Sequence, residues 1–267
     1  MSFGDTETEN ESALHSPIET RDLINRIGPV QLERLYRISL RHGHVYVAIP
    51  KAANSTIKGV LQHLELQASK SLRHTTFKSS SAKPHDLLRS VLISSWQLPK
   101  QQLRRVLFGS AFRRWTVVRH PGTRALSAYL DRFQEDDVLR RQVLKALGAD
   151  AHAQPSFEDF LEGISRIPDR KRDVHVASQT RLTGYPTIQY DSILKFEDLP
   201  VNVETLLAEL YPNAEIAGLM SHNLSPKKTS AGSAVSEHLT PRSRELIRTN
   251  WAEDFEAFGY DAESIAG

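Results

Sequence analysis

The chain has 267 residues, a formal net charge of +2 and 25% charged residues. That size suits one α/β domain, and the near-neutral balance argues against wholesale nucleic-acid binding. Cysteine is absent, which excludes disulfides, thiolate metal sites and cysteine nucleophiles and makes a reducing, cytoplasmic setting the expectation. No apolar run approaches the roughly 18 residues of a membrane helix, and the polar start does not read as a signal peptide.

Residues 1–20 are polar and acidic and predict a disordered tail, leaving 21–267 as one domain. Leu23 to Leu40 predicts a helix broken or kinked at Gly28-Pro29, with Ile24, Ile27, Leu32, Leu35 and Ile38 as core contacts. His42-Gly43 turns the chain. Val45 to Ile49 then form a short β-branched and aromatic run, a buried strand that Pro50 ends. From Ile57 the period changes, with Ile57, Val60, Leu61 and Leu64 on one helical face, and Asn54, Ser55 and Thr56 where an N-cap is needed. Lys51 sits in the loop between. A lysine-bearing loop feeding a helix start suits phosphate or sulfate. Walker A is missing, since the loop has no glycine, and a plain βα turn with a surface lysine competes.

Ser69 to His85 reads as a long loop, a solvated insertion or a flap over an anion. Leu87 to Leu107 predicts helix, interrupted near Pro99. Trp115 to Phe133 repeats the first construction: a strand to Val118, a turn over Arg119-His120-Pro121-Gly122, Thr123 as cap, and a stripe of Leu126, Tyr129, Leu130 and Phe133. Arg119, at the strand's carboxyl end, can curl towards Ser127. An arginine with a hydroxyl suits a terminal phosphate. Arg124 points opposite the stripe and predicts a solvated arginine.

IPKAANSTIK followed by VVRHPGTRALSAYLDRF resembles the two cofactor motifs of the sulfotransferases that use 3′-phosphoadenosine 5′-phosphosulfate, PAPS. The likeness is to the carbohydrate branch with the HNK-1 and chondroitin 4-O enzymes. By that resemblance Lys51 and Lys58 match the two lysines of the 5′-phosphosulfate motif, with Ala53, Asn54, Ser55 and Thr56 between them. Arg119 and Ser127 match the 3′-phosphate motif, and Arg124, Tyr129 and Phe133 fall in register. DVHVASQ at 173–179 is similar to the family's HWxPQ element, with Val176 for its tryptophan and Ser178 for its proline. YDSILKFEDL at 190–199 is similar to its YDxIGKFEDL stretch, and Asn223 and DFEAFGY at 254–260 match its carboxyl-terminal pattern.

Along the rest of the chain, Asp137–Leu147 predicts helix and Ser156–Ile164 a helix with a Ser-x-x-Asp cap. Ile188–Phe196 predicts strand, Glu204–Leu210 helix, and Thr240-Pro241 the start of the last helix. Ser221 to His238 is a loop whose Lys227 and Lys228 suit a lid over the cofactor. The expected fold is α/β, a mostly parallel sheet flanked by helices with a P-loop-like cofactor site. The resemblance implies transfer of a sulfuryl group from PAPS to a hydroxyl, on a carbohydrate or glycoconjugate, without a metal. His175 is the expected base, with His74, His85, His120 and Glu197 as rivals. A nucleotide-dependent phosphotransferase lacks its Walker A and magnesium carboxylate, and a nucleotide- or nucleic-acid-binding module is the non-enzymatic alternative.

Overall fold

Gly28, at φ 96°, separates helix α1 (Pro17–Ile27) from α2 (Pro29–Leu35) in the computed structural model, which describes residues 17–68, 90–134, 138–222 and 238–263. That φ is open to glycine, and Pro29 supplies a preset first helical position. The helix begins at Pro17, inside the tail expected over 1–20, because Thr20 and Leu23 bury themselves; residues 1–16 lie outside the described residues.

The helix expected to run to Leu40 ends at Leu35. Tyr36–Ser39 is instead strand β1, antiparallel to β2 (His44–Val47) in the register Tyr36↔Val47 to Ser39↔His44. Ile38 lies at i+3 from Leu35, a helical spacing, but β1 is buried at all four positions and so shows no strand alternation. What decides is pairing: β2 on one side, and Ile93, exchanging two 2.9 Å bonds with Ile38, on the other. Gly43 closes the intervening turn at φ 59°.

Helix α3 (Asn54–Ala68) buries Ile57, Val60, Leu61 and Leu64 as the spacing predicts. Of the helix expected over Leu87–Leu107, residues 87–89 lie outside the described residues, and the rest holds α4 (Lys100–Phe108), preceded by a short 3₁₀ turn at Ser95–Gln97. Ile93 serves β1 instead, so this stretch is drawn out of helix by the sheet edge. Strand β3 (Arg113–Val118) lies parallel to β2, and helix α5 (Pro121–Ala128) runs into a π-helical turn at Tyr129–Phe133.

Then follow α6 (Val138–Leu147), α7 (Phe157–Ser165) and α8 (Gln179–Thr183). The Ser156–Asp159 capping box stands at the start of α7 as predicted. Strand β4 (Ser192–Lys195), shorter than expected, pairs parallel to β3. The chain closes with α9 (Val201–Leu210), α10 (Leu219–His222), α11 (Pro241–Asn250), capped by Thr240, and α12 (Ala252–Phe258). The sheet order is β1-β2-β3-β4. The expected mostly parallel α/β fold therefore stands. One apolar core surrounds the sheet, α1–α3 and α9; a second joins α5–α7, α11 and α12. No helix among the described residues is long and apolar enough to cross a membrane.

Three parallel strands thus send their carboxyl ends to one edge. The loops after Val47, Val118 and Lys195 meet there, where open α/β sheets hold ligands.

Candidate functional site

The first loop, Pro50–Ala53, turns without glycine. Lys51 at φ 68° and Ala53 at φ 55° both adopt the left-handed region, which for non-glycine residues costs on the order of 1 kcal/mol each and gathers at functional loops. Lys51 is mostly buried, and its Nζ pairs with Asp131 of the π-helical turn at 2.6 Å. Burial pulls the ammonium below its ordinary range; Asp131 opposes that shift, while Arg119 and Arg132 reinforce it. Asp131 escaped the sequence reading, though it follows Ser127 by one helical turn. A turn of π-helix at this point is in keeping with where such bulges occur.

The second loop braces the first. Arg119 donates from Nη1 to the Lys51 carbonyl at 3.0 Å and from Nε to Thr123 Oγ1 at 3.1 Å. Its guanidinium lies 4.3 Å from the Phe196 ring centroid, a cation–π contact. Burial lowers its pKa to about 10, against Glu197. The hydroxyl it meets is therefore Thr123, not Ser127, which lies buried one turn further along the same face of α5. Thr123 is not the cap either: His120 Nδ1 accepts from the Gly122 N–H, and Pro121 takes the first helical position.

Arg124, expected in solvent, is 1% exposed. It donates to the carbonyls of Pro50 (3.1 Å), Ala177 (2.8 Å) and Val174 (3.0 Å). The helical wheel correctly sets it opposite the Leu126 stripe. That opposite face, however, is covered by the first loop and by the 173–177 turn, a tertiary fact no single-helix pattern contains. Arg124 thereby ties three separate stretches of sequence together.

That turn carries His175. Its Nδ1 lies 2.6 Å from Asp173 Oδ1, which also accepts the His175 backbone N–H at 2.9 Å. Burial alone would raise the Asp173 carboxyl; the His175 ring and N–H, with Arg132, hold it below its ordinary value instead. The D-x-H spacing was the available signal for Asp173. Gln179 then clamps Arg119, accepting its N–H at 2.9 Å and donating to its carbonyl at 2.8 Å. Buried Asp254, in the carboxyl-terminal DFEAFGY stretch, accepts the N–H groups of Gln179 and Thr180 at 2.8 and 2.9 Å.

Two rivals of His175 have other duties. His120 uses both ring nitrogens, one toward Gly122 and the other, at 3.3 Å, toward the Asp261 carbonyl. Glu197 accepts from the His120 N–H and the Tyr260 hydroxyl, both at 2.9 Å. His74, His85, Asn223, Lys227, Lys228 and the whole 69–85 loop lie outside the described residues.

Lys58 is buried on α3, and among the described residues it has no hydrogen bond or ion pair. Burial, then the charge of Arg37, lowers its pKa to about 7. Among the described residues Arg119 hydrogen-bonds only neutral oxygens, so with Lys58 it leaves positive charge at the edge not paired to a carboxylate, a surrounding that favours an incoming polyanion.

The sequence model of the sulfotransferase family matches residues 34–261, most of the chain and both loops. No curated protein and no solved structure matches it.

Proposed function

This chain belongs to the sulfotransferase family, and from that premise we propose that it moves a sulfuryl group from PAPS to an acceptor hydroxyl on a carbohydrate or glycoconjugate. The observation that carries the donor is the convergence of both strand–loop–helix units on one edge, where Arg119 reaches the Lys51 carbonyl and Lys58 lies without a counter-ion among the described residues. These residues fit a ligand bearing a phosphosulfate and a second phosphate. The likeness of IPKAANSTIK and VVRHPGTRALSAYLDRF to the carbohydrate branch supports the acceptor class.

When bound, PAPS supplies an activated sulfuryl group whose bridging S–O bond breaks as the acceptor oxygen bonds to sulfur. Lys51 exchanges Asp131 for the ligand and offsets charge growing on the bridging oxygen. Ala53, Asn54, Ser55 and Thr56 hold the 5′-phosphate at the start of α3, with Lys58 behind them. Arg119 and Ser127 hold the 3′-phosphate, while Gln179 fixes the Arg119 backbone. Lys227 and Lys228, outside the described residues, add positive charge that suits the same ligand. His175 takes the acceptor's proton at Nε2, because the bond to Asp173 places the ring's own proton on Nδ1.

Calorimetry of the protein with PAP in magnesium-free buffer tests the donor, and transfer of labelled sulfate from PAPS to a carbohydrate panel tests the acceptor. Absence of PAP binding overturns the proposal. His175→Ala should lower single-turnover sulfation about 10²–10⁴-fold and leave PAP affinity unchanged. A wild-type single-turnover rate in the variant would discharge His175 from the role.

A further inference from the structure

The Lys51 ammonium already has an anion of the chain's own. Asp131 Oδ2 lies 2.6 Å from its Nζ, and the two side chains are only 12% exposed for Lys51 and 20% for Asp131. Asp131 belongs to the π-helical turn Tyr129–Phe133, in which Tyr129 and Phe133 are buried. Their rings stack with centroids 5.5 Å apart, and Phe133 lies 5.1 Å from the Phe160 ring. The carboxylate therefore rides on packed backbone. The ammonium sits at the end of a flexible four-carbon stem, so the pair opens by a swing of Lys51 and needs no movement of the helix.

Asp131 can serve this loop in two ways, by shaping it or by competing for its charge. The backbone bonds decide between them. Arg119 holds the Lys51 carbonyl at 3.0 Å and Arg124 the Pro50 carbonyl at 3.1 Å, while the Ala52 N–H reaches the Ile49 carbonyl at 3.3 Å. None of these bonds involves Asp131, and they hold the loop that is left-handed at Lys51 and Ala53. What Asp131 adds is a grip on the ammonium. Around that ammonium Arg119 and Arg132 contribute positive charge and Asp131 negative charge. A polyanion that draws Lys51 to itself parts the carboxylate from its partner and sets it beside like charge, which costs binding energy.

We propose that Asp131 is a release residue, an internal anion that competes with the bound nucleotide for Lys51. The role rests on the sulfotransferase reading of this edge. The donor enters by displacing Asp131 from the ammonium, and the ion pair re-forms as PAP departs. Asp131 acts through Lys51 and lowers nucleotide affinity, which speeds product release, a step that limits turnover in many enzymes. Without it, Lys51, Arg119 and Arg132 would meet the ligand together, a stronger hold on a polyanion.

Calorimetry and stopped-flow displacement of PAP from the full chain test the role. Asp131→Asn keeps the shape and removes the charge; it should bind PAP at least about fivefold tighter, mainly through slower dissociation. Asp131→Glu keeps the charge and should stay within about threefold of wild type. A second measurement needs no variant. In carbon-13 NMR of the wild type, the Asp131 carboxyl signal should move on saturation with PAP, because its ammonium partner leaves. Tightening of less than about fivefold in Asp131→Asn, or an unmoved carboxyl signal at saturation, overturns the role. Inorganic pyrophosphate separates the two readings. If it binds and moves the Asp131 signal while PAP does not bind, the donor assignment falls and the internal competitor stands. If PAP binds with Asp131 still on Lys51, the release role falls and the donor assignment stands. Saturable binding of neither probe overturns both.

Discussion

The β2–α3 and β3–α5 units share a parallel strand, a proline-containing turn and a helix, yet they use their cations differently. In the first, the loop backbone is strained at Lys51 and Ala53, Lys51 is held by Asp131, and Lys58 is buried with no counter-ion among the described residues. In the second, Arg119 and Arg124 spend hydrogen bonds on carbonyls of the first loop, those of Lys51 and Pro50. One unit presents charge; the other holds the presenting loop in shape. A shared local construction therefore says where a ligand is met, and the partners of each cation say which residues meet it.

The contrast breaks most visibly at Arg124. Arg124→Ala leaves three carbonyls without their donor and should cost about 3–6 kcal/mol of stability, at about 1–2 kcal/mol each, seen as a fall in the chemical-denaturation midpoint. A variant with unchanged stability would return Arg124 to the surface role that its place on the helix suggested. Lys51→Ala should act oppositely, keeping the fold while lowering turnover at saturating PAPS about 10²–10³-fold; near-normal turnover would deny it the charge-stabilising part.

Arg119 stands between the two cases, a brace in the structure and a ligand residue in the proposed function. Arg119→Ala should weaken PAP by about 1.5–3 kcal/mol and adenosine 5′-phosphosulfate, which lacks the 3′-phosphate, far less. Equal weakening would assign it to bracing alone.

The smallest effect concerns Lys58. Its folded pKa of about 7 lies below the 10.5 of a free lysine, so between those values the unfolded chain binds the extra proton. Wild-type stability should rise with pH through that window, and the burial penalty is complete below about 7. Lys58→Met should therefore gain about 1 kcal/mol at neutral pH and no stability above pH 10.5, while PAP binding weakens by a similar amount. An anion beside the ammonium favours its charged form. PAP affinity should thus fall as pH climbs above about 7, with proton uptake measurable in buffers of different ionisation enthalpy. A flat profile would place Lys58 outside the binding edge.

Sequence by itself determined the α/β class, both strand–loop–helix units, and the α7 and α11 caps at Ser156 and Thr240. Those features are written in local period, capping chemistry and short motifs, which need only neighbours along the chain. The tertiary structure alone decided that Tyr36–Ser39 is a strand, that Arg124 is interior, and that Asp131 and Asp173 stand beside Lys51 and His175. Strand pairing and two-sided burial depend on groups far away in sequence. For a buried cation, what matters is which distant carbonyl or carboxylate the fold brings within about 3 Å.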